Sequence, residues 1–346
     1  MKDSRIGRFA LALAALALIL SACQPQAAPL TPTEPAAVAA VPTVASVPSA
    51  AEPLVFYCQV KDISAVFWQW AIKGCEEAAA ELGPDKVELR VTTGTTDMGV
   101  EDSIKAFQDA VSAGADAIVI APADSVALIP AVQEANEAGI PVAAMDTTVL
   151  PPAKLVTTVA TDNFNGFMAA VKSFVEANGG KGTYALLTCP STISTCRDIT
   201  SGYTAAIEQF PDAVSVASSL ATPDRAKGYN ATRDFLIAHP DLTGVVAASG
   251  QDGLGAGEAI KDVGASTGVL TRNCTMEELQ GVAGGSLSAC FAQYPRMMGY
   301  RAVMALYDYI QGNEVPSYID SGSDYVTPDV VQKWIDLGEF GGPPPQ

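Results

Sequence analysis

From Leu54 onward the chain keeps one rhythm: short apolar runs alternate with amphipathic stretches of helical length. The runs fall at 54–60, 87–92, 117–121, 141–145 and 156–160, and again at 183–187, 214–217, 244–248, 268–271 and 287–291. Several are continuously apolar rather than alternating, the pattern of strands covered on both faces. Between them lie helix-length segments at 67–82, 100–113, 125–138, 164–177, 200–210, 226–238 and 296–310. Within 125–138, Leu128, Ile129, Val132 and Ala135 share one helical face. Gly83, Gly114, Gly139 and Gly179 stand just past such segments, where a helix ends most easily on glycine. This βαβα alternation predicts parallel sheets with helices on both faces. About ten strands exceed a typical single sheet. With 346 residues, the expected fold class is α/β, with two doubly wound parallel-sheet lobes. Such sheets bind ligands outside the carboxyl ends of their strands, so polar residues at those ends are the ones to weigh.

The first 52 residues break the rhythm. Lys2, Arg5 and Arg8 form a basic head, followed by an apolar run of twelve residues from Phe9 to Leu20. A helical membrane span needs about 20 apolar residues, so the run reads as the hydrophobic part of a secretory signal. It ends in Leu20-Ser21-Ala22-Cys23, which resembles the bacterial lipobox. That resemblance implies a signal peptide at 1–22 and a lipid on the Cys23 thiol, anchoring the mature chain to the outer face of a membrane. Residues 24–52 hold six prolines, nine alanines and two charged residues, Glu34 and Glu52, with no glycine. Such a segment prefers extended backbone and acts as a semi-rigid spacer, roughly 90 Å long at ~3.1 Å per residue. The expected organisation is a lipid-anchored linker at 23–52 and a folded extracytoplasmic body from Pro53.

Export bears on the seven cysteines. With Cys23 lipidated, six remain, in three close pairs along the sequence: Cys58 and Cys75, Cys189 and Cys196, Cys274 and Cys290. Six cysteines allow 15 pairings. Local pairing is the reading adopted, with buried free thiols as the alternative that an oxidising compartment disfavours. No CxxC spacing suggests zinc, and no metal site is expected.

Charge and motifs exclude more. Against 20 basic residues stand 38 acidic ones, a formal net charge of −18. Nucleic-acid binding needs clustered lysine and arginine, so it is not expected. The single histidine, His239, sits in Ala-His-Pro-Asp at an expected helix end, a capping or surface position. The glycines of 250–257 follow a strand and open a helix, but lack GxGxxG spacing; 178–183 lacks the phosphate-loop order. No GxSxG, HExxH or EF-hand spacing occurs. No cofactor and no enzymatic activity are expected.

An ordered set of short motifs carries a family resemblance. Phe67-Trp68 follows the first strand, then come Ala121-Pro-Ala-Asp124-Ser, Gly139-Ile-Pro-Val142 before Met145-Asp146, and Thr161-Asp-Asn163. Gly202-Tyr203, Ala238-His-Pro-Asp241, Leu254-Gly-Ala256 and Ala292-Gln-Tyr-Pro295 complete it. From about Pro53 to Gln332 the chain resembles bacterial type I periplasmic sugar-binding proteins of the ribose-binding kind, the solute receptors of ABC importers. Lactose-repressor-type regulators share that core, but a lipobox in place of a DNA-binding headpiece, with the acidity, sets them aside. The resemblance implies two lobes joined by a three-segment hinge, 53–161 plus 294–320 and 162–293 plus 321–346. It implies a monomer that closes on a monosaccharide or polyol and delivers it to an ABC permease. A receptor signalling through a membrane protein, or a binder of a non-sugar polar solute, is the competing reading.

The resemblance also assigns residues. Phe67 and Trp68 match an aromatic wall for the sugar's C–H face, with Trp70 left to core or rim. Asp146 matches a hydroxyl-binding aspartate, Asn273 a strand-end aspartate and Gln293 a glutamine on a crossing segment. Arg197 lies close to the family's binding arginine, though not in register, with a surface ion pair as its alternative. Gln251 and Asp252 lie on the loop that supplies an amide, and Ser249 is the strict positional match. Thr147 stands where ribose binders have arginine, Asn273 replaces aspartate and Ser249 replaces an amide. These departures leave a binding role intact without singling out ribose.

Overall fold

The computed structural model describes residues 52–338 except 95, 97 and 98. The expected signal peptide, Cys23, the linker apart from Glu52, and 339–346 lie outside the described residues. In chain order the elements are β1 (Leu54–Val60), α1 (Val66–Leu82), β2 (Val87–Thr93), α2 (Val100–Ser112), β3 (Ala117–Ile120), α3 (Ile129–Glu137), β4 (Val142–Met145) and β5 (Thr158–Ala160). Then follow α4 (Asn163–Ala177), β6 (Lys181–Thr188), α5 (Ser194–Ile207), β7 (Asp212–Leu220), α6 (Arg225–Ala238), β8 (Gly244–Ala247), α7 (Gly250–Val263), β9 (Gly268–Asn273), α8 (Met276–Ala283) and β10 (Ala289–Gln293). The described residues end with α9 (Pro295–Ile310), β11 (Tyr318–Asp320), β12 (Ser323–Val326) and α10 (Val331–Leu337).

The strands form two six-stranded sheets, ordered β11-β5-β4-β3-β1-β2 and β12-β10-β9-β8-β6-β7. The first is parallel throughout. The second is parallel except at its edge, where β12 runs antiparallel to β10. The chain passes from the first sheet to the second through Thr161–Asp162, returns at Tyr294, and crosses again through Ser321–Gly322.

The continuous apolar runs are the inner strands. Every residue of β3, β4, β8 and β10 is buried, whereas edge strands β2, β7 and β11 are largely open. Side chains alternate between faces along a strand. In β3, Ala117 and Val119 therefore join the core beneath α1 and α9, while Ile118 and Ile120 join the one beneath α2 and α3. The three local cysteine pairs are disulfides: Cys58–Cys75, Cys189–Cys196 and Cys274–Cys290.

Two differences from the sequence reading have physical causes. Helix α3 begins at Ile129, not 125, because Pro130 lacks an N–H and is tolerated only in a first turn. Helix α5 begins at Ser194, six residues early, with Cys196 of the disulfide already inside it. Helix α7 forms despite four glycines that weaken a helix by about 1 kcal/mol each. Close packing requires them: a Cβ on Gly253 would lie 2.1 Å from the Thr271 hydroxyl, and one on Gly255 2.1 Å from the Arg225 carbonyl.

The same close approach joins α1 to α9. A Cβ on Gly74 would sit 1.9 Å from the Arg296 carbonyl oxygen, and one on Gly299 2.0 Å from that of Ala71. Glycine to alanine ordinarily strengthens a helix by about 1 kcal/mol. Here Gly74→Ala and Gly299→Ala should each destabilise the fold by about 1–3 kcal/mol or more, because backbone must move. Urea denaturation checks this, and a rise in midpoint would contradict the packing.

Candidate functional site

The carboxyl ends of the two sheets face a common cavity of about 400 Å³. From the first lobe come Lys61 after β1, the 64–68 segment at the start of α1, and Asp146 after β4. From the second come Thr195 and the Cys189–Cys196 disulfide at the start of α5, Ser249 and Gln251 after β8, Arg272 and Asn273 at the end of β9, and Gln293 at the end of β10. Such a crevice is where doubly wound sheets place ligands.

The first-lobe wall is aromatic with a charged floor. Phe67 and Trp68 meet edge to face, ring centroids 4.8 Å apart. Lys61 Nζ lies 5.1 Å above the Trp68 ring, 3.4 Å from Asp146 Oδ2, and donates to Thr147 Oγ1 at 3.1 Å. Thr147 Oγ1 in turn donates to Asp146 Oδ2 at 2.8 Å. Lysine and aspartate are both buried, so each needs the other. Asp146 holds a left-handed backbone, φ 63°, which aspartate tolerates better than bulkier residues.

The second-lobe wall is a network of amides around one guanidinium. Arg272 Nη2 donates to Asn163 Oδ1 and Gln293 Oε1, each at 2.6 Å, and Nη1 lies 3.4 Å from the Ala248 carbonyl. Gln293 Nε2 then donates to Asn273 Oδ1 at 2.7 Å. Asn273 also has positive φ, 85°. Burial lowers the Arg272 pKa to about 10, against the opposing charges of Asp146 and Asp252, so it stays protonated at neutral pH.

Two buried carboxyls support this wall. Asp252 accepts from the Ser249 and Thr222 hydroxyls. Burial pushes its pKa up to about 6, with those bonds pulling the other way. Glu278 closes a capping box with Thr275 at the start of α8. Its pKa rises to about 7 through burial, opposed by the Thr275 bonds and aided by the charges of Glu277 and Asp252.

The lobes also touch at the rim. Thr147 Oγ1 and Thr195 Oγ1 are 2.9 Å apart, and Thr195 Oγ1 donates to the Asp146 carbonyl at 3.3 Å. The Ser194 amide donates to Ser125 Oγ at 2.9 Å, and the Ser125 amide to the Thr192 carbonyl at 3.3 Å. The second-lobe partners all belong to the segment stapled by Cys189–Cys196.

Of the nine residues singled out in the sequence, Phe67, Trp68, Asp146, Ser249, Gln251, Asn273 and Gln293 line the cavity. Arg197 and Asp252 are not among its lining residues. Arg197 donates to the Ser191 carbonyl at 3.4 Å within its own loop. Asp252 is fully buried beneath Ser249 because α7 starts at Gly250 and turns it inward. Trp70 packs against the first-lobe core, under Lys73. The sequence reading missed Lys61 and Arg272. Both were visible as single charges closing apolar strands, at the strand ends where ligands bind. Among the described residues, no cluster of histidine, cysteine and carboxylate side chains could hold a metal, and no helix is long and apolar enough to cross a membrane.

Comparison with known proteins follows the same lines. The family model for the periplasmic binding protein domain matches residues 56–314. The ribose import binding protein RbsB of Bacillus subtilis is 31% identical over 250 residues, covering 72% of this chain and 79% of that protein. An ABC transporter solute binding protein from Agrobacterium vitis with bound D-fucose superimposes with a TM-score of 0.77 at 26% identity, over 82% of this chain and 99% of that one. A periplasmic solute binding protein from Actinobacillus succinogenes with bound D-allose gives 0.75 at 26% identity, over 82% and 100%.

The raised carboxyls of Asp252 and Glu278 make stability depend on pH. Their ordinary values are 3.8 and 4.5, so between these and about 6–7 the folded state holds protons that the unfolded chain has released. The stabilisation is full below the ordinary values and is lost as pH rises through the folded ones. Melting temperature should therefore rise from pH 8 to pH 5, with Glu278 contributing on the order of 1–3 kcal/mol. Glu278→Gln, whose amide resembles the protonated acid, should flatten that slope; an unchanged slope would remove Glu278 as its source.

Proposed function

The chain belongs to the periplasmic binding protein family, and from that premise we propose that it is the extracytoplasmic receptor of an ABC importer for a neutral monosaccharide or polyol. The observation that carries the reading is the pairing of walls across one cavity: aromatic faces from the first lobe, hydrogen-bonding amides and a guanidinium from the second. A sugar offers apolar C–H faces to the one and hydroxyl edges to the other. Phe67 and Trp68 cover the ring. Asp146, Lys61 and Asn273 grip hydroxyls, with Ser249 and Gln251 beside them and Gln293 orienting Asn273. The cationic side chains Lys61 and Arg272 are balanced by Asp146 and Asp252, which favours a neutral ligand.

The receptor acts as a monomer in this reading. Ligand favours the closed arrangement and shifts the population toward it, and closed lobes are what a permease reads. The RbsB and D-allose relatives supply the class of cargo and the import role. The lipobox-like sequence ending at Cys23 and the spacer behind it support a lipid tether for the receptor. Cys23→Ser should move the expressed protein from the membrane fraction to the soluble one; membrane retention of that variant would argue against the tether.

The binding test is a thermal-shift panel of D-ribose, D-allose, D-fucose, xylitol and myo-inositol, with D-gluconate as the anionic control. At 100 times Kd, a ligand adds roughly 2.7 kcal/mol, about 4 °C for a folded body of this size. Asp146→Asn should abolish the shift yet fold, because the amide oxygen still accepts from Lys61; alanine would strand a buried lysine. A shift that survives in Asp146→Asn, or one given only by gluconate, would refute the assignment.

A further inference from the structure

The second-lobe wall changes character along its sheet. In the order β10-β9-β8-β6-β7 it begins with polar side chains, Gln293, Asn273 and then Ser249. At the β6 and β7 end it becomes apolar, lined by Cys189, Ile193, Cys196, Ile199, Pro223 and Ala248. These residues adjoin one another. Cys189 and Cys196 are bonded through sulfur, and Ile193 lies inside that loop, its carbonyl accepting from the Cys196 amide at 3.1 Å. Ile199 stands one turn further along α5. The Thr222 and Ala248 amides donate to the Thr188 and Leu187 carbonyls, which brings the 222–223 turn and Ala248 beside Cys189. Ile193 and Cys196 are only 4% and 2% exposed, yet neither belongs to the hydrophobic cores of its lobe. Their apolar surface belongs to the cavity wall.

The hydroxyls that border this corner have no proton to spare. Thr222 donates to Asp252. Thr195 Oγ1 lies 2.9 Å from Thr147 Oγ1 and 3.3 Å from the Asp146 carbonyl. Thr147 gives its own proton to Asp146 Oδ2, so the Thr195 proton goes to one of those two partners. A ligand hydroxyl lodged here would give up water and meet carbon and sulfur. A methyl group lodged here gains from burial and loses no hydrogen bond.

We propose that this corner is a subsite for a methyl group, so that the receptor selects a 6-deoxyhexose over the matching hexose. The proposal rests on the sugar-receptor reading and names the class of sugar. A pyranose carries its hydroxyls on adjacent ring carbons and a single exocyclic carbon, C6. With the ring hydroxyls toward β8, β9 and β10, C6 falls to the β6 and β7 end. In a hexose that carbon bears a hydroxyl, in a 6-deoxyhexose it is a methyl, and in the related pentose it is missing. An apolar pocket separates such ligands by roughly 10–200-fold.

Isothermal titration calorimetry on the wild-type protein tests this with sugars grouped by shared ring configuration. The sets are D-allose, 6-deoxy-D-allose and D-ribose; D-galactose, D-fucose and L-arabinose; D-glucose, 6-deoxy-D-glucose and D-xylose; and D-mannose, D-rhamnose and D-lyxose. In the set that binds most tightly, the 6-deoxyhexose should exceed both the hexose and the pentose in affinity by about 10-fold or more. A preference below threefold over either overturns the proposal and leaves the receptor reading standing. Ile193→Thr locates the subsite. Residue 193 is the N-cap of α5, a position that threonine favours, so the variant should fold. The new hydroxyl accepts from the helix and keeps a proton for the ligand, so the preference over the hexose should fall to within threefold. An unchanged preference overturns the assignment to this corner. If the variant does not fold, wild-type protein with ¹³C-labelled isoleucine methyls decides. The methyl protons of the sugar should show nuclear Overhauser contacts to Ile193 or Ile199, and their absence overturns the assignment. If no sugar of any set binds, the sugar reading itself fails, and the proposal falls with it.

Discussion

A charge taken out of water must find a partner or cost the fold several kcal/mol, and the cleft is arranged around that constraint. Each lobe meets it alone. Lys61, Asp146 and Thr147 satisfy one another within the first lobe. In the second, Asn163 and Gln293 take both Nη2 protons of Arg272 while its Nε stays unmatched among the described residues, and Asp252 is held by Ser249 and Thr222. Across the gap run hydrogen bonds between hydroxyl and backbone groups, those of Ser125 and the 146–148 turn with the stapled 192–195 segment. Neutral hydrogen bonds are worth about 1 kcal/mol each net. Two lobes joined in this way can part without breaking the hydrogen bonds that hold their buried ions, which a receptor that opens and closes requires.

The two sheets solve the placement of polar groups with one device. Leaving aside the last strand of each, both run in the order second, first, third, fourth, fifth. In both, the residue at the end of the fourth strand, Asp146 after β4 and Asn273 closing β9, has positive φ. A left-handed residue ends the extended backbone abruptly and turns the chain aside at the cleft. Aspartate and asparagine enter that region more readily than other side chains, so the conformation and the chemistry select the same residue types. Backbone strain of this kind gathers at binding sites, where surrounding structure holds it in place.

Much of this was legible beforehand, for identifiable reasons. The inner strands were plain because burial on both faces demands continuous apolar sequence, as in 117–120 and 244–247. Asp146 and Asn273 were assigned through the family resemblance, which implies a ligand-binding aspartate at each of these strand ends. The short edge strands β11 and β12, with only three and four residues, carry too little pattern to be read. The start of helix α7 was legible, but not the reason for its glycines, which answer to contacts with Thr271 and Arg225, far away in sequence. Arg197 and Asp252 carry the right chemistry, but helix phase decides which way they turn. The phase of α5 depended on an onset six residues earlier than the sequence suggested. Lys61 and Arg272 went unread because a charge at the end of an apolar run resembles a strand terminator until its neighbours across the sheet are known.

The two walls of the cavity differ in what they need from closure. An aromatic face gains from a sugar ring through contact and exclusion of water, a gain that grows with the area covered. A hydrogen-bonding wall gains only when its donors meet acceptors in good geometry, and water competes with each of them until the gap shuts. Ligand lying on Phe67 and Trp68 alone would keep its hydroxyl edges in water. Closure exchanges that water for groups already fixed in place by Arg272 and Gln293. Those fixed groups stand next to the crossings: Asn163 follows Thr161–Asp162, and Gln293 immediately precedes Tyr294. The side chains that would recognise the ligand are therefore bonded to the backbone segments about which the lobes turn, so recognition and closure act on the same few atoms.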